Sequence, residues 1–130
     1  MNLEIFNETN TETPEINFLE LKNKILGDNF DLTISFLLPK NSQKINKRQR
    51  KQSYVPNTLS FKYSPTSGEI IMTPEIIEGE DYTLADENIV LYTEKILYLT
   101  IHSMLHLTDL DHGEEMERLE VKYFKLYCKQ

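Results

Sequence analysis

The sequence predicts an α+β fold in which a small mixed β-sheet packs with helices. Residues 30–38 are rich in β-branched and apolar side chains, which is typical of a buried strand, and a proline follows them. From about residue 85 onward the apolar residues recur at helical spacing, and a further amphipathic segment comes after them. Because strands come first and two helices close the chain, the pattern favours α+β over regularly alternating α/β architecture. It leaves the order of the strands open.

The first part of the chain adds a short strand and a helix. Leu3 begins a short alternating strand. Thr13 is expected to cap the next helix and Pro14 to occupy its first position, because threonine and proline are favoured at these two places. Gly27 is expected to end that helix.

The middle of the chain predicts one more helix and two more strands. Residues 40–52 are predicted to form a helix capped by Asn41 or Ser42. Residues 58–63 and 69–72 are predicted to be short strands, because turn-forming residues separate these two apolar segments.

Two helices are predicted to close the sequence. The first spans about five turns. Its pattern consists of Ile89, Tyr92, Ile96, Leu97, Thr100, Ile101, Met104 and Leu105. Residues 113–128 then form a last amphipathic helix.

The length and the cysteine content indicate the class of protein. The 130 residues suit a single domain, residues 1–130, with one modest core. Cys128 is the only cysteine, which excludes an internal disulfide framework and fits a reducing compartment. No segment approaches the roughly 20 apolar residues of a membrane span, and the first residues lack the features of a signal peptide. We therefore expect a cytoplasmic protein without a membrane partner.

The charge is segregated along the chain. The formal net charge of −7 alone argues against a nucleic-acid partner. Residues 40–52, however, contain six of the 14 basic residues and no acid, which leaves eight basic residues and all 21 acids for the rest. This basic segment is either a solvated helix face or a binding surface for an anionic partner.

All three histidines of the chain lie within eleven residues. His102 and His106 are four residues apart, so on a helix they project from the same face. If that helix ends near Thr108, Asp109 can adopt the left-handed conformation and turn the chain so that His112 approaches the other two. Three imidazoles can hold one metal ion and leave a fourth tetrahedral position for water, which is the catalytic rather than the structural arrangement.

The histidine spacing equals that of the metzincin proteases, but Ser103 argues against peptide hydrolysis. Proteases of that signature place a glutamate, the general base, directly after the first histidine. Ser103 stands at that position and cannot relay a proton as a carboxylate does. A metallohydrolase acting on peptides or small molecules therefore lacks an identifiable base.

Two segments of the chain carry motifs of a known family. Residues 102–112, HSMLHLTDLDH, resemble the signature H-G-x-L-H-L-x-G-Y-D-H of the YbeY family, the bacterial endoribonucleases that mature ribosomal RNA. The following EEMERLE resembles E-E-M-E-x-L-E, and residues 45–61 align without gaps with the family pattern L-N-x-x-Y-R-x-K-D-x-P-T-[DN]-V-L-S-F. Gln49 stands where this pattern has Tyr, and Val55-Pro56 where it has Pro-Thr. Ser103, Asp109 and Leu110 stand where the signature has Gly, Gly and Tyr, which indicates a divergent member.

The resemblance implies an α+β fold with a mixed sheet and one zinc ion per chain, with His102, His106 and His112 as ligands. By motif position the functional arginine of the family is Arg50. An arginine fork and a metal ion together suit a phosphodiester whose transition state gains negative charge. These four residues are the candidate catalytic set. Lys47, Arg48 and Lys51 are weaker candidates for guiding RNA phosphates.

The leading functional hypothesis is a zinc-dependent endoribonuclease specific for single-stranded RNA. The resemblance implies a role in maturing ribosomal RNA, including the 3′ end of the small-subunit RNA, and in ribosome quality control. Its expected partners are ribosomal RNA and the ribosome or ribosomal proteins, and no DNA. The alternative is a catalytically weak or inactive metal-binding factor of ribosome assembly, which the altered signature residues and the acidic net charge suggest.

Several neighbouring residues carry weaker expectations. Asp111 either accepts a hydrogen bond from a histidine or caps the last helix. Glu114 and Glu115 are expected in the first turn of that helix, where acids interact favourably with the dipole. Tyr98, one helical turn before His102, is expected to be a packing residue.

Overall fold

A four-stranded mixed sheet organises residues 2–128, the part of the chain that the computed structural model describes. A separate two-stranded hairpin and five helices surround it. In chain order the elements are β1 (Leu3–Asn7), α1 (Phe18–Ile25), β2 (Asp31–Phe36), α2 (Pro39–Arg50), β3 (Thr58–Ser64), β4 (Ser67–Met72), α3 (Pro74–Gly79), β5 (Tyr82–Leu84), β6 (Glu87–Ile89), α4 (Tyr92–Leu107) and α5 (Glu114–Tyr127). The predicted α+β class is confirmed.

The strand order of the large sheet is β1-β2-β4-β3. Strand β2 pairs in parallel with β1 and β4, and β3 pairs with β4 in the antiparallel direction, so the sheet is mixed. Ile5, Ile34 and Ile70 stand side by side across three strands. Strand β3 stands last in the strand order, so it is an edge strand without a neighbour on its outer side. Its residues form one wall of a cleft.

The two faces of the sheet pack against different helices. The larger core lies between the sheet and α4, where Ile34, Ile70, Ile96 and Met104 have no exposed surface. The smaller core, on the other face, contains Leu37, Leu59 and Ile71, and Ile45 of α2 and Phe61 pack against it. Helix α4 contacts β3, β4, α1, α3 and α5, so it is the central helix. No helix within residues 2–128 is both long and apolar enough to cross a membrane.

Helix α1 begins later than the sequence predicts. Its N-cap is Asn17, whose side chain accepts a hydrogen bond from the Glu20 backbone N–H at 3.0 Å. The expectation that Thr13 caps the helix is wrong, because its hydroxyl accepts a hydrogen bond from the Asn7 side chain at 2.9 Å. The predicted end is confirmed, since Gly27 has a φ of +102°, which favours glycine.

Helix α2 begins earlier than predicted. Leu38 is its N-cap residue and Pro39 takes the first helical position, where the missing N–H of proline costs nothing. Neither Asn41 nor Ser42 is the cap. Ser42 is fully buried, and its hydroxyl accepts a hydrogen bond from Thr73 at 2.7 Å, so it joins α2 to the start of α3.

Two short elements between residues 74 and 89 were not predicted. Helix α3 begins at Pro74 after its N-cap residue Thr73, and this Thr-Pro pair was the available signal for a helix start. The β5–β6 hairpin turns at Ala85 and Asp86, which both have positive φ. Ile89 therefore belongs to a strand, and α4 begins only at Tyr92.

Lys22 is a fully buried lysine that binds the chain leading into β2. Its ammonium group donates hydrogen bonds to the backbone oxygens of Gly27, Asp28 and Phe30 at 3.1, 3.3 and 2.9 Å. These carbonyls lie between the end of α1 and the start of β2, one of the two inner strands of the sheet. The lysine therefore satisfies polar groups that would otherwise be buried without a partner.

We expect Lys22→Met to lower the free energy of unfolding by about 2–4 kcal/mol, because it removes charged hydrogen bonds and leaves carbonyls unsatisfied. Urea denaturation of the purified protein measures this change. Lys24→Met on the same helix, at an exposed position, is the matched control and should shift stability by about 0.5 kcal/mol or less. Equal stability of the two variants would contradict the assigned role.

Candidate metal centre

The end of α4 and the turn after it bring the three histidines together. His102 and His106 project from the last turns of α4, which ends at Leu107. Asp109 then has a φ of 73°, the left-handed conformation that its position predicts, and the chain turns back. As a result, one potential ligand atom from each of His102, His106 and His112 lies within 4.8 Å of the others.

The geometry of the cluster fits a single metal ion. The Nε2 atoms of His102 and His106 are 3.1 Å apart. Two nitrogens at about 2.0–2.1 Å from one tetrahedral ion would be about 3.3 Å apart, so these donors are close to that spacing. Burial lowers the pKa of His106, and the neighbouring His102 and His112 lower it further. The neutral imidazole, which is the metal-binding form, is thereby favoured.

Glu120 holds the ring of His102 in place from behind. His102 Nδ1 lies 2.5 Å from a carboxylate oxygen of Glu120, a residue of α5 that is only 6% exposed. In the tautomer with the proton on Nδ1, this N–H donates a hydrogen bond to the carboxylate, and the lone pair of Nε2 faces the other imidazoles. Carboxylate–histidine–metal arrangements fix the tautomer and raise the basicity of the ligand in this way.

Sequence reasoning missed Glu120. The available signal was its position four residues after Met116, which places an acid on the buried side of an amphipathic helix. Asp111, the residue proposed for a similar role, is exposed, and its alternative role as helix cap is wrong because Gly113 is the N-cap residue of α5. Glu115 lies in the first turn of α5 as expected and pairs with Arg118 at 2.7 Å.

Arg50 and the three histidines line one cleft of about 530 Å³. The cleft lies between β3 and α4, and Arg50 reaches it from the C-terminal end of α2. Its other lining residues are Asn57, Thr58, Leu59, Ser60, Lys62, Ser103 and Leu107. None of the described residues in this lining is an aspartate or a glutamate. In a chain with a net charge of −7, this cleft is a local region of positive and titratable side chains.

The structure does not place the other basic candidates in the cleft. Lys47 and Arg48 are exposed on α2, and Lys51 follows directly after the helix. None of the three belongs to the cleft lining. They lie on the same basic segment as Arg50, but only Arg50 shares the cavity with the imidazoles.

Ser103 joins α4 to the sheet. It is 1% exposed, and its hydroxyl lies 3.0 Å from that of Thr58 on β3. The residue that replaces the glutamate of the zinc proteases is thus a buried contact between α4 and β3. Tyr98 packs behind the site as expected, with its ring 6.0 Å from that of His102.

The structure shows an α+β fold with three histidines that could hold one metal ion, on a helix and its following turn, and with an arginine in the same cleft. Comparison with known proteins identifies the family. The model of the family Endoribonuclease YbeY matches residues 4–125, and the chain belongs to this family. The resemblance of the two sequence segments is thereby confirmed.

Individual relatives agree with this assignment. Endoribonuclease YbeY of Bdellovibrio bacteriovorus is 35% identical over 94 residues, which cover 70% of this chain and 60% of that protein. The protein of the same name from Campylobacter jejuni is 33% identical over 120 residues, 84% of this chain and 86% of the relative. A solution structure of a Thermotoga maritima protein superposes with a TM-score of 0.63 at 21% identity, covering 95% of this chain and 87% of that one, and so shows the same fold.

We expect Glu120→Gln to weaken divalent-metal binding by about 10–100-fold, because the amide keeps the shape of the side chain but not its charge. Competition with a chromophoric chelator measures the affinity. Glu115→Gln on the same helix, at an exposed position outside the cavities that contain the histidines, is the matched control and should retain the wild-type affinity. If both variants bind metal as tightly as the wild type, Glu120 does not tune the centre.

Proposed function

We propose that this protein is a metal-dependent endoribonuclease that cleaves single-stranded RNA. The observation that carries the proposal is the shared cleft of Arg50, His102, His106 and His112, with no acid in its described lining. Membership of the Endoribonuclease YbeY family supports the same reaction. The exposed cations on and after α2 extend the positive surface beyond the cleft, as a polyanionic substrate requires.

The side chains of the site have different proposed roles in cleaving a phosphodiester. The three imidazoles would hold the metal ion, which would supply Lewis-acid chemistry to the phosphodiester. Glu120 orients His102 through Nδ1. The guanidinium of Arg50 donates hydrogen bonds to the non-bridging oxygens, where negative charge increases in the transition state. Asn57, Thr58 and Ser60 supply polar groups along the β3 wall of the cleft.

We further propose zinc as the metal, because an all-imidazole set of three ligands suits this ion. The proposed biological role is maturation of ribosomal RNA, including the 3′ end of the small-subunit RNA, and ribosome quality control in the cytoplasm. Ribosomal RNA and the ribosome or ribosomal proteins are the corresponding partners. The likeness of residues 45–61 and 102–120 to the family signatures supports this role.

A second candidate function is metal-dependent ribosome assembly without RNA cleavage. The observation that favours it is Asp109, because a carboxylate stands at the edge of the cleft where the family signature has glycine. In that case the metal would stabilise the fold rather than serve a reaction. Cleavage assays and metal-dependent melting separate the two functions.

We expect Arg50→Ala to lower the rate of single-stranded RNA cleavage by about 100-fold or more with unchanged metal content, because a transition-state donor is lost. His106→Ala should lose both metal and cleavage. Metal analysis and a gel assay on a labelled oligoribonucleotide measure these effects. Arg118→Ala, at an exposed position of α5 outside both the cleft and the basic segment, is the matched control and should cleave like the wild type.

Arg50→Ala and His106→Ala also control for contaminating ribonuclease, because a contaminant would cleave the RNA equally in every preparation. If metal-loaded wild type cleaves no faster than His106→Ala, the nuclease proposal fails. If the wild type shows no cleavage and His102→Ala destabilises the fold in the presence of zinc, the assembly function holds instead.

A further inference from the structure

An ion pair joins the edge strand β3 to the turn between the metal-binding histidines. Lys62 Nζ lies 2.8 Å from Asp109 Oδ2. Lys62 belongs to β3, and Asp109 is the residue of positive φ that turns the chain between His106 and His112. The pair therefore stands at the opening of the catalytic cleft.

Lys62 is a cation of the cleft itself. Side chains alternate along a strand, so Ser60 and Lys62 project from the same face of β3, and both line the cleft with Arg50. Asp109 lies outside the lining and reaches Lys62 from the turn. Arg50 and Lys62 are thus the arginine and the lysine of the cleft, and in the free protein the Asp109 carboxylate is the anion that binds Lys62.

This ion pair is open to exchange with another anion. The side chains of Lys62 and Asp109 are 32% and 74% exposed. Ion pairs with this exposure contribute little to stability, because solvent and salt screen them. A phosphate that enters the cleft can therefore replace the Asp109 carboxylate at small cost.

We propose that Lys62 binds a backbone phosphate of the RNA next to the one at Arg50, and that Asp109 is its displaceable partner. This inference rests on the proposed function, because it assigns the same cleft a second contact to single-stranded RNA. Lys62 then sets the path of the strand along β3. Asp109 competes with weaker anions for the lysine when RNA is absent.

A purely structural clamp is the competing explanation, and it predicts a different pattern. If the ion pair served only to fasten the turn, removing either partner would have the same effect on RNA binding. If Lys62 binds phosphate, removing Lys62 weakens RNA binding and removing the charge of Asp109 strengthens it. The two substitutions then act in opposite directions.

The test measures binding of a short, labelled 2′-O-methyl oligouridylate to the metal-loaded protein by fluorescence anisotropy at several salt concentrations. Lys62→Gln should weaken binding roughly 3–10-fold and reduce the slope of log K against log salt by about 0.7, the value for one contact to a single strand. Lys62→Arg should retain the wild-type slope. Asp109→Asn, which tolerates the positive φ, should bind more tightly than the wild type.

Lys125→Gln, at an exposed position of α5 outside the cleft, is the matched control and should leave the slope unchanged. Metal content and melting temperature should be the same in all variants. Weaker binding by both Lys62→Gln and Asp109→Asn, or an unchanged slope in Lys62→Gln, would overturn the inference.

Cleavage of the unmodified RNA is measured in parallel, so the two proposals can fail separately. Lys62-dependent binding without cleavage by the wild type supports this inference and overturns the nuclease proposal. Cleavage by the wild type with unaltered binding by Lys62→Gln overturns this inference alone.

Discussion

The burial of α4 between the sheet and α5 is the constraint on which the site depends. Ile96, Ile101 and Met104 have no exposed surface, so neither rotation nor sliding of the helix is possible without opening the core. This packing leaves one strip of the helix at the cleft, and His102 and His106 occupy it. The rigid helix thus positions two ligands, while the turn after it has to place only the third.

The arrangement of charge is compatible with the proposed anionic substrate, even though the protein as a whole is acidic. Two acids beside the cleft are each bonded to another group: Glu120 to His102 and Asp109 to Lys62. Arg50 reaches the cleft from the basic end of α2, where no acid lies on the same helix. The net charge of −7 is therefore an average over the chain and does not describe the lining of the cleft that contains Arg50.

The parts of the structure that depend on local geometry could be predicted from the sequence. The pairing of His102 with His106 and the left-handed Asp109 follow from helix spacing and from the conformations that aspartate tolerates. Glu120 and Lys62 were missed because their partners lie 18 and 47 residues away, and only the tertiary fold brings them together. The predicted cap Ser42 was wrong for a related reason, since its hydroxyl accepts a hydrogen bond from Thr73, 31 residues away. The predicted cap Thr13 was wrong for a local reason, since its hydroxyl is bonded to Asn7 in the preceding strand. Helix α3 and the β5–β6 hairpin are too short to show a period.

Because side chains alternate along β3, one face of this strand lines the cleft and the other packs into the smaller core. Ser60 and Lys62 face the cleft, whereas Leu59 and Phe61 belong to the smaller core beneath α2. Sliding β3 by one position against β4 would exchange the two sets, burying a lysine and exposing apolar side chains. A substitution within residues 58–62 changes one face of the strand, whereas a single-residue insertion or deletion there would move side chains between the two faces. Such an insertion or deletion would damage the core and the cleft at once, so the length of this segment is as much a part of the site as its chemistry.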